Sequence, residues 1–221
     1  HIHPNDRLWH HQLAEAPDRW QPVPIVEELK PKARAAGLWN LFLPHSERGA
    51  GLTNLEYAPL AEIMGRVQWA SEVFNCSAPD TGNMEVLHRY GTAAQKERWL
   101  PDLLAGRNAI SLGMTEPEAG SAATDLRTTA RRDGGHYVVN GSKVFGTHSA
   151  EASLYLVYCR FGPGLDGIGS ILIERGTPGF TVGKPSMFLN GEEWSALYFE
   201  DCRVPEENLL LGPGGFKKQI A

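Results

Sequence analysis

The sequence predicts an α+β protein, with an all-α helical N-terminal domain followed by a β-barrel or sandwich middle domain. Three observations carry this. Helix start and stop signals crowd the first half, the apolar period shifts towards two near Ala109, and glycine-bearing turns then separate several short apolar runs. The expected segments are residues 1–108, 109–212 and a short remainder, 213–221, opened by Gly212-Pro213-Gly214-Gly215.

In the first segment, Ile25 to Ala36 has helical character interrupted by Pro31. Thr53-x-x-Glu56 is a capping-box pattern ahead of Leu55, Ala58, Leu60, Ala61 and Met64, and Pro59 is expected to delay or kink that helix. Asn83 to Tyr90 reads as a helix ended by Gly91. Thr92-x-x-Gln95 opens another, with Trp99, Leu100, Leu103 and Leu104 at helical spacing and Gly106 as its stop. In the second segment, Arg127 to Arg132, Asp133-Gly134-Gly135 and His136 to Asn140 read as a hairpin. Ser153 to Arg160, Gly169 to Glu174 and Trp194 to Phe199 read as further strands.

At 221 residues the chain is long enough for one large or two small cores. A net charge of −5 argues against a nucleic-acid surface, and no apolar run approaches the roughly 20 residues of a membrane span. Cys76, Cys159 and Cys202 are far apart and form no C-x-x-C pair, which fits buried thiols in a reducing cytosol, so a cytoplasmic protein is expected. His1 is not an initiator methionine, so the native start is expected to lie upstream. His1, His3, His10 and His11 crowd the N-terminus without a helical i,i+4 pair, and no metal site is expected there.

Two stretches hold the most chemistry: Met114-Thr115-Glu116-Pro117-Glu118-Ala119-Gly120-Ser121 and Asn140-Gly141-Ser142-Lys143-Val144-Phe145-Gly146-Thr147-His148. A redox-active heterocycle needs donors where negative charge gathers on reduction. Thr115 and Thr147 offer hydroxyls, and the Pro117 and Gly120 turn chemistry predicts backbone amides free of a sheet ladder. Phe145 offers a flat apolar face, and positions 145 and 147 share one side of a regular strand. The pair of segments therefore suits a stacked, hydrogen-bonded heterocycle, although each taken alone reads as a surface loop or an ordinary strand with a core phenylalanine. Glu116 and Glu118 lie close by, but Pro117 holds Glu116 in the loop, so neither is expected to act as a base.

These stretches belong to an ordered series: Asn75 to Glu85, Tyr90-Gly91-Thr92 with Gln95-Lys96, Met114-Thr115-Glu116-Pro117, Asn140-Gly141-Ser142-Lys143, Arg175-Gly176-Thr177-Pro178-Gly179, Phe199-Glu200-Asp201, and Val204-Pro205 with Asn208-Leu209-Leu210. The series resembles the acyl-CoA dehydrogenase family over nearly the whole chain. The resemblance implies FAD as cofactor, an acyl-CoA substrate desaturated between its α and β carbons in fatty acid metabolism, an electron-transfer flavoprotein as partner, and a homodimer or homotetramer. It implies that Leu112, Met114, Thr115, Gly120 and Ser121 wrap the flavin's pyrimidine edge, that Phe145, Gly146 and Thr147 cover the ring with Thr147 facing N5, and that Ser121 also touches CoA.

By the same resemblance, residues 213–221 would begin a C-terminal helical domain that carries the glutamate base, leaving no catalytic base in this chain and an incomplete enzyme. Related alternatives are an acyl-CoA oxidase, a flavin monooxygenase relative, or a non-catalytic flavin- or CoA-binding subunit. Two positions depart from the family pattern: Phe145 stands where tryptophan is usual, and His148, read as a hydrogen-bonding residue, where asparagine or serine is frequent. The stretch Leu189 to Ala196 lacks the usual arginine and reads as an exposed loop with a half-buried Trp194.

Overall fold

A computed structural model describes residues 1–44 and 46–219. The chain forms two compact units, His1–Gly82 and Asn83–Ala221.

The first unit is helical: α1 (Asp6–Glu15), α2 (Pro24–Ala35), α3 (Asn54–Met64), α4 (Ala70–Val73) and the start of α5 (Asp80–Tyr90). Pro24 opens α2, where a missing N–H costs nothing, and Ile25, Val26, Leu29 and Ala33 line its buried face. They pack with Val23, Trp69 and Val73. The Trp69 ring stacks on Trp9 at 6.0 Å, and its indole Nε1 donates to Asp6 Oδ1 at 3.0 Å, so a large apolar ring is buried with its one polar atom satisfied.

Neither helix starts late on account of its proline. Helix α3 begins at Asn54, directly after a complete capping box in which Glu56 N donates to Thr53 Oγ1 at 3.2 Å and Thr53 N donates to Glu56 Oε2 at 2.8 Å. Both Pro59 and Pro31 sit inside their helices on exposed positions, where water can serve the carbonyl that each ring leaves unbonded.

Among the described residues, the second unit holds the rest of α5, α6 (Ala93–Leu104), nine strands and the short α7 (Gly215–Gln219). The helix expected at Asn83 starts one turn earlier, at Asp80. At the start of α6 the Gln95 side chain does two things: Oε1 accepts from Thr92 N at 2.9 Å, completing the capping box, while Nε2 donates to the carbonyls of Glu207 and Leu209 at 2.7 and 3.0 Å. Trp99 Nε1 and Arg98 Nη2 both donate to the Glu174 carboxylate, at 3.0 and 2.7 Å.

The strands are β1 (Ile110–Gly113), β2 (Thr129–Asp133), β3 (His136–Thr147), β4 (Leu154–Arg160), β5 (Ile168–Glu174), β6 (Phe180–Val182), β7 (Ser186–Met187), β8 (Glu193–Pro205) and β9 (Leu209–Leu211). They join in one mixed sheet, ordered β6-β8-β3-β2-β4-β5-β9, with β1 parallel to β4 and β7 beside β8. A helical part followed by a β part is thus what the residues build, but the sheet does not close into a barrel. Its ends, β6 and β9, are three residues each, too short to meet in a continuous ladder, and such short strands blunt an exposed edge.

Strands β4 and β5 are buried at six of their seven positions, which is why both read as unbroken apolar runs without alternation. Thiols Cys76, Cys159 and Cys202 are free and buried, and burial pushes Cys159 up to about 12, so it stays a neutral core side chain. Among the described residues no helix is long and apolar enough to cross a membrane. Ile220 and Ala221, the end of the last expected segment, lie outside the described residues.

Candidate functional site

The two stretches singled out in the sequence are knit together by an ion pair. Lys143 points inward from β3 with no exposed surface, and Glu116, in the turn after β1, is 4% exposed. The Lys143 ammonium donates to Glu116 Oε1 at 2.7 Å and to the Met114 carbonyl at 3.1 Å. The backbone amides of Thr128 and Arg127 donate to the same carboxylate at 2.9 and 2.5 Å. Burial alone would push Glu116 up, but the Lys143 ammonium and these donors outweigh it and hold the carboxyl below its ordinary range. It is a fixed, satisfied anion.

Around this pair the turn is set by backbone bonds. Glu116 and Ala119 exchange two N–H to carbonyl bonds of 3.1 Å each, enclosing Pro117 and Glu118, and Val144 N donates to the Thr115 carbonyl at 2.9 Å. The amides of Thr115, Gly120 and Ser121 have no acceptor among the described residues, as their place outside the ladder predicts. Leu112, Met114 and Thr115 are half-buried, while Gly120 and Ser121 are exposed, with open space around Gly120.

Strand β3 departs from the regular alternation assumed for Phe145 and Thr147. Its register against β8 shifts between Lys143 and Gly146, and Phe145 takes φ +60°, the mark of a bulge with one extra residue. Lys143 and Gly146 are both buried, three positions apart, while Phe145 is 52% exposed and Thr147 half-buried. A Cβ at Gly146 would lie 2.5 Å from Ser149 Oγ, so a larger residue would have to displace that hydroxyl. Phe145 and Thr147 are each displayed next to Gly146, by a bulge rather than by strand parity. No bond among the described residues links Gly120 or Ser121 to this segment.

The chain beyond Thr147 is pinned from below. Ser111 Oγ donates to the Thr147 carbonyl at 2.8 Å and lies 2.7 Å from Ser149 Oγ. Tyr155 Oη donates to the carbonyls of Ser149 and Ala152 at 2.8 and 3.0 Å, and burial pushes its phenol up to about 12, which keeps it a donor. Arg175 reaches the carbonyls of Ser149, Ala150 and Ala152 at 2.6, 3.0 and 2.8 Å. Glu193, 8% exposed, accepts from Ala150 N at 3.2 Å and Ser195 Oγ at 2.5 Å. His148 lies 3.9 Å from the Glu151 carboxylate.

Sequence reasoning found both stretches but missed the ion pair between them and the buried Glu193. The signal was present: Lys143 and Glu193 are charged residues at inward positions of strands, and such positions hold charge only when it is paired or hydrogen-bonded.

Two family models match this chain. The one for the acyl-CoA dehydrogenase N-terminal domain covers residues 7–107, and the one for the acyl-CoA dehydrogenase middle domain covers residues 111–202. The chain belongs to the acyl-CoA dehydrogenase family.

Its relatives agree. Mouse acyl-CoA dehydrogenase family member 10 is 45% identical over 95% of the chain, which spans 21% of that protein. A solved Mycobacterium abscessus protein assigned to the acyl-CoA dehydrogenases superposes with a TM-score of 0.88 at 39% identity, over 98% of this chain and 58% of that one. A glutaryl-CoA dehydrogenase from Mycobacterium smegmatis, solved with FADH2, gives a TM-score of 0.78 at 26% identity, over 99% and 53% of the two chains. This chain therefore spans about a fifth of the first of these relatives and little more than half of the solved ones.

In this member of the acyl-CoA dehydrogenase family the Arg175 brace has a measurable consequence. Arg175→Met keeps the side-chain stem and removes the donors. A loss of about 1–3 kcal/mol is expected, with faster amide hydrogen exchange at Ala152, whose N–H closes the loop onto the His148 carbonyl. Unchanged exchange there would show that the guanidinium does not hold the loop.

Proposed function

We propose that this chain supplies the flavin-holding wall of an FAD-dependent acyl-CoA dehydrogenase. The observation that carries the reading is the pairing of two half-buried threonines, Thr115 and Thr147, with unspent backbone amides at Thr115, Gly120 and Ser121, all built on the rigid Glu116–Lys143 pair. Neither threonine hydroxyl has a partner among the described residues. The donor set fits an isoalloxazine ring, which presents acceptors at its pyrimidine edge and N5, and the open space at Gly120 leaves room for close approach.

FAD, when bound, accepts the hydride that leaves the β-carbon of the acyl thioester. The residues of this chain do the rest of what this wall requires. Thr115 and the amides at 115, 120 and 121 would steady negative charge at the pyrimidine edge, Thr147 would donate at N5, and Phe145 would cover the ring. Leu112, Met114 and Gly146 shape the pocket floor, and Ser121 lies where CoA would pass. Glu116 does not take the α-proton: it is buried, ionised and spends its oxygens on Lys143, Arg127 and Thr128.

The base is accordingly placed outside residues 1–221, together with the remaining contacts to FAD. In this reading the helical domain ends near residue 108, and residues 213–221 would open a further domain. The working protein in this reading is a homodimer or homotetramer that passes electrons to an electron-transfer flavoprotein.

Equilibrium dialysis tests the reading directly. The chain is expected to bind FAD weakly, and Thr147→Val to weaken it further by roughly three- to tenfold, the worth of one hydrogen bond. Equal affinity for the two would remove Thr147 from the site. Anaerobic bleaching of bound flavin by any acyl-CoA on this chain alone would contradict the placement of the base elsewhere.

A further inference from the structure

Three aromatic rings meet at the bulge. Phe145 contacts Trp194 edge-on, with centroids 4.9 Å apart and planes at 62°, and Phe188 at 6.1 Å; Phe188 and Trp194 are 6.0 Å apart. The cluster is not core: Phe145 is 52% exposed, Phe188 and Trp194 are half-buried, and Met187 beside them is 52% exposed. Rings that rigidify one another while leaving their faces to solvent suit a flat apolar ligand.

Register fixes where that ligand must lie. Thr147 and Trp194 are direct partners across β3 and β8, as are Gly146 and Ser195. Directly paired residues on antiparallel strands project to the same side with Cβ atoms roughly 5 Å apart. A flat heterocycle bonded to the Thr147 hydroxyl can therefore also reach the Trp194 indole, whose N–H has no acceptor among the described residues.

The backbone holds this arrangement firmly. Buried Glu193, immediately before Trp194, is bound to Ala150 N and Ser195 Oγ, so the strand start that carries the indole is fastened to the loop after Thr147.

We propose that Trp194 is a flavin-contacting residue, its indole packed on the isoalloxazine ring that Thr147 holds, with Phe145 and Phe188 setting its orientation. This rests on the flavin reading of the site. It assigns a binding role to a stretch that, from sequence, reads as an exposed loop, and it makes Phe145 one part of a three-ring platform.

The test uses the 221-residue chain labelled with 5-fluorotryptophan, whose six tryptophans give resolvable fluorine resonances. Trp194→Phe identifies the Trp194 signal by its loss. FAD and FMN are each expected to shift that signal, and ADP, which lacks the isoalloxazine, to leave it in place. Trp194→Leu is expected to weaken FAD binding by roughly two- to tenfold, the range for loss of one aromatic contact.

If FAD binds but the Trp194 signal stays still and Trp194→Leu binds as tightly as the parent, the proposal is wrong and the flavin reading survives. A shift with ADP as large as with FAD would overturn it in favour of an adenine at this position. If the parent chain does not bind FAD in dialysis, the flavin reading fails and the proposal with it. The fluorine titration of the parent chain decides the matter even if Trp194→Leu does not fold.

Discussion

Lys143→Met is expected to destabilise the β unit by about 3–5 kcal/mol, the usual cost of removing one partner from a buried ion pair. The methionine stem fills the space of the lysine stem, so the loss is electrostatic: Glu116, 4% exposed, keeps the Arg127 and Thr128 amides but loses its only cation among the described residues. Urea denaturation followed by far-UV circular dichroism measures the loss. Glu116→Gln added to Lys143→Met is expected to recover much of it, because a neutral amide can still accept from the Arg127 or Thr128 amide and leaves no unpaired charge.

The same pair sets an acid limit. The Glu116 carboxyl is held below its ordinary value of 4.5, so the unfolded chain binds its proton more readily than the folded one. Its contribution is therefore fully present above pH 4.5 and is lost as pH falls through the lower folded value. Denaturation midpoints are expected to be insensitive to this group between neutral pH and pH 4.5 and to fall below it. In Lys143→Met, which removes the first of the groups that lower the carboxyl and leaves the Thr128 and Arg127 donors, the acid-side fall should shrink.

Gly141→Val is expected to cost about 2–5 kcal/mol, the combined order of a strained positive φ and a steric clash in a packed region. Gly141 has φ +139°, and a Cβ there would lie 2.6 Å from Thr128 Oγ1 and 2.7 Å from Thr128 Cα. The second contact is to backbone, so Thr128→Ser should not rescue the variant. Thr128 N is one of the Glu116 donors, so the strain reaches the ion pair directly. Thermal unfolding of the single and double variants checks this, and rescue by Thr128→Ser would mean that only the side chain is crowded.

Most of the local structure was legible because its causes are local. Thr53-x-x-Glu56 and Thr92-x-x-Gln95 encode their own helix starts in hydrogen bonds spanning three residues, and Asp133-Gly134-Gly135 forms a tight turn between β2 and β3. What failed depended on surroundings. Pro59 looks in a linear pattern as if it should delay its helix, yet the Thr53 capping box starts α3 ahead of it. Sheet closure depends on how strands pair across the whole unit, which short runs with glycine turns do not specify.

In the candidate site, the residues were found but not their arrangement. The relation of Phe145 to Thr147 follows from an extra residue that is visible only when β3 is laid against β8, because a bulge is defined by the mismatch of two strands. Glu116 and Lys143 are 27 positions apart, and neither motif names its partner. Trp194 reads in sequence as a strand start beside an exposed loop, and its place opposite Thr147 emerges only from the ladder.

The double use of Gln95 bears on how the molecule comes into being. As the chain leaves the ribosome, the oxygen of Gln95 can close the first turn of its helix as soon as Thr92 and its neighbours have emerged. The amide nitrogen must wait for the carbonyl of Leu209, 114 positions later. Until then this side chain, 3% exposed in the finished fold, carries donors that only water can satisfy, so the seam between α6 and β9 stays wet. The nascent helix is thus started locally and sealed remotely, and the unit completes its interior only near the end of this stretch of synthesis.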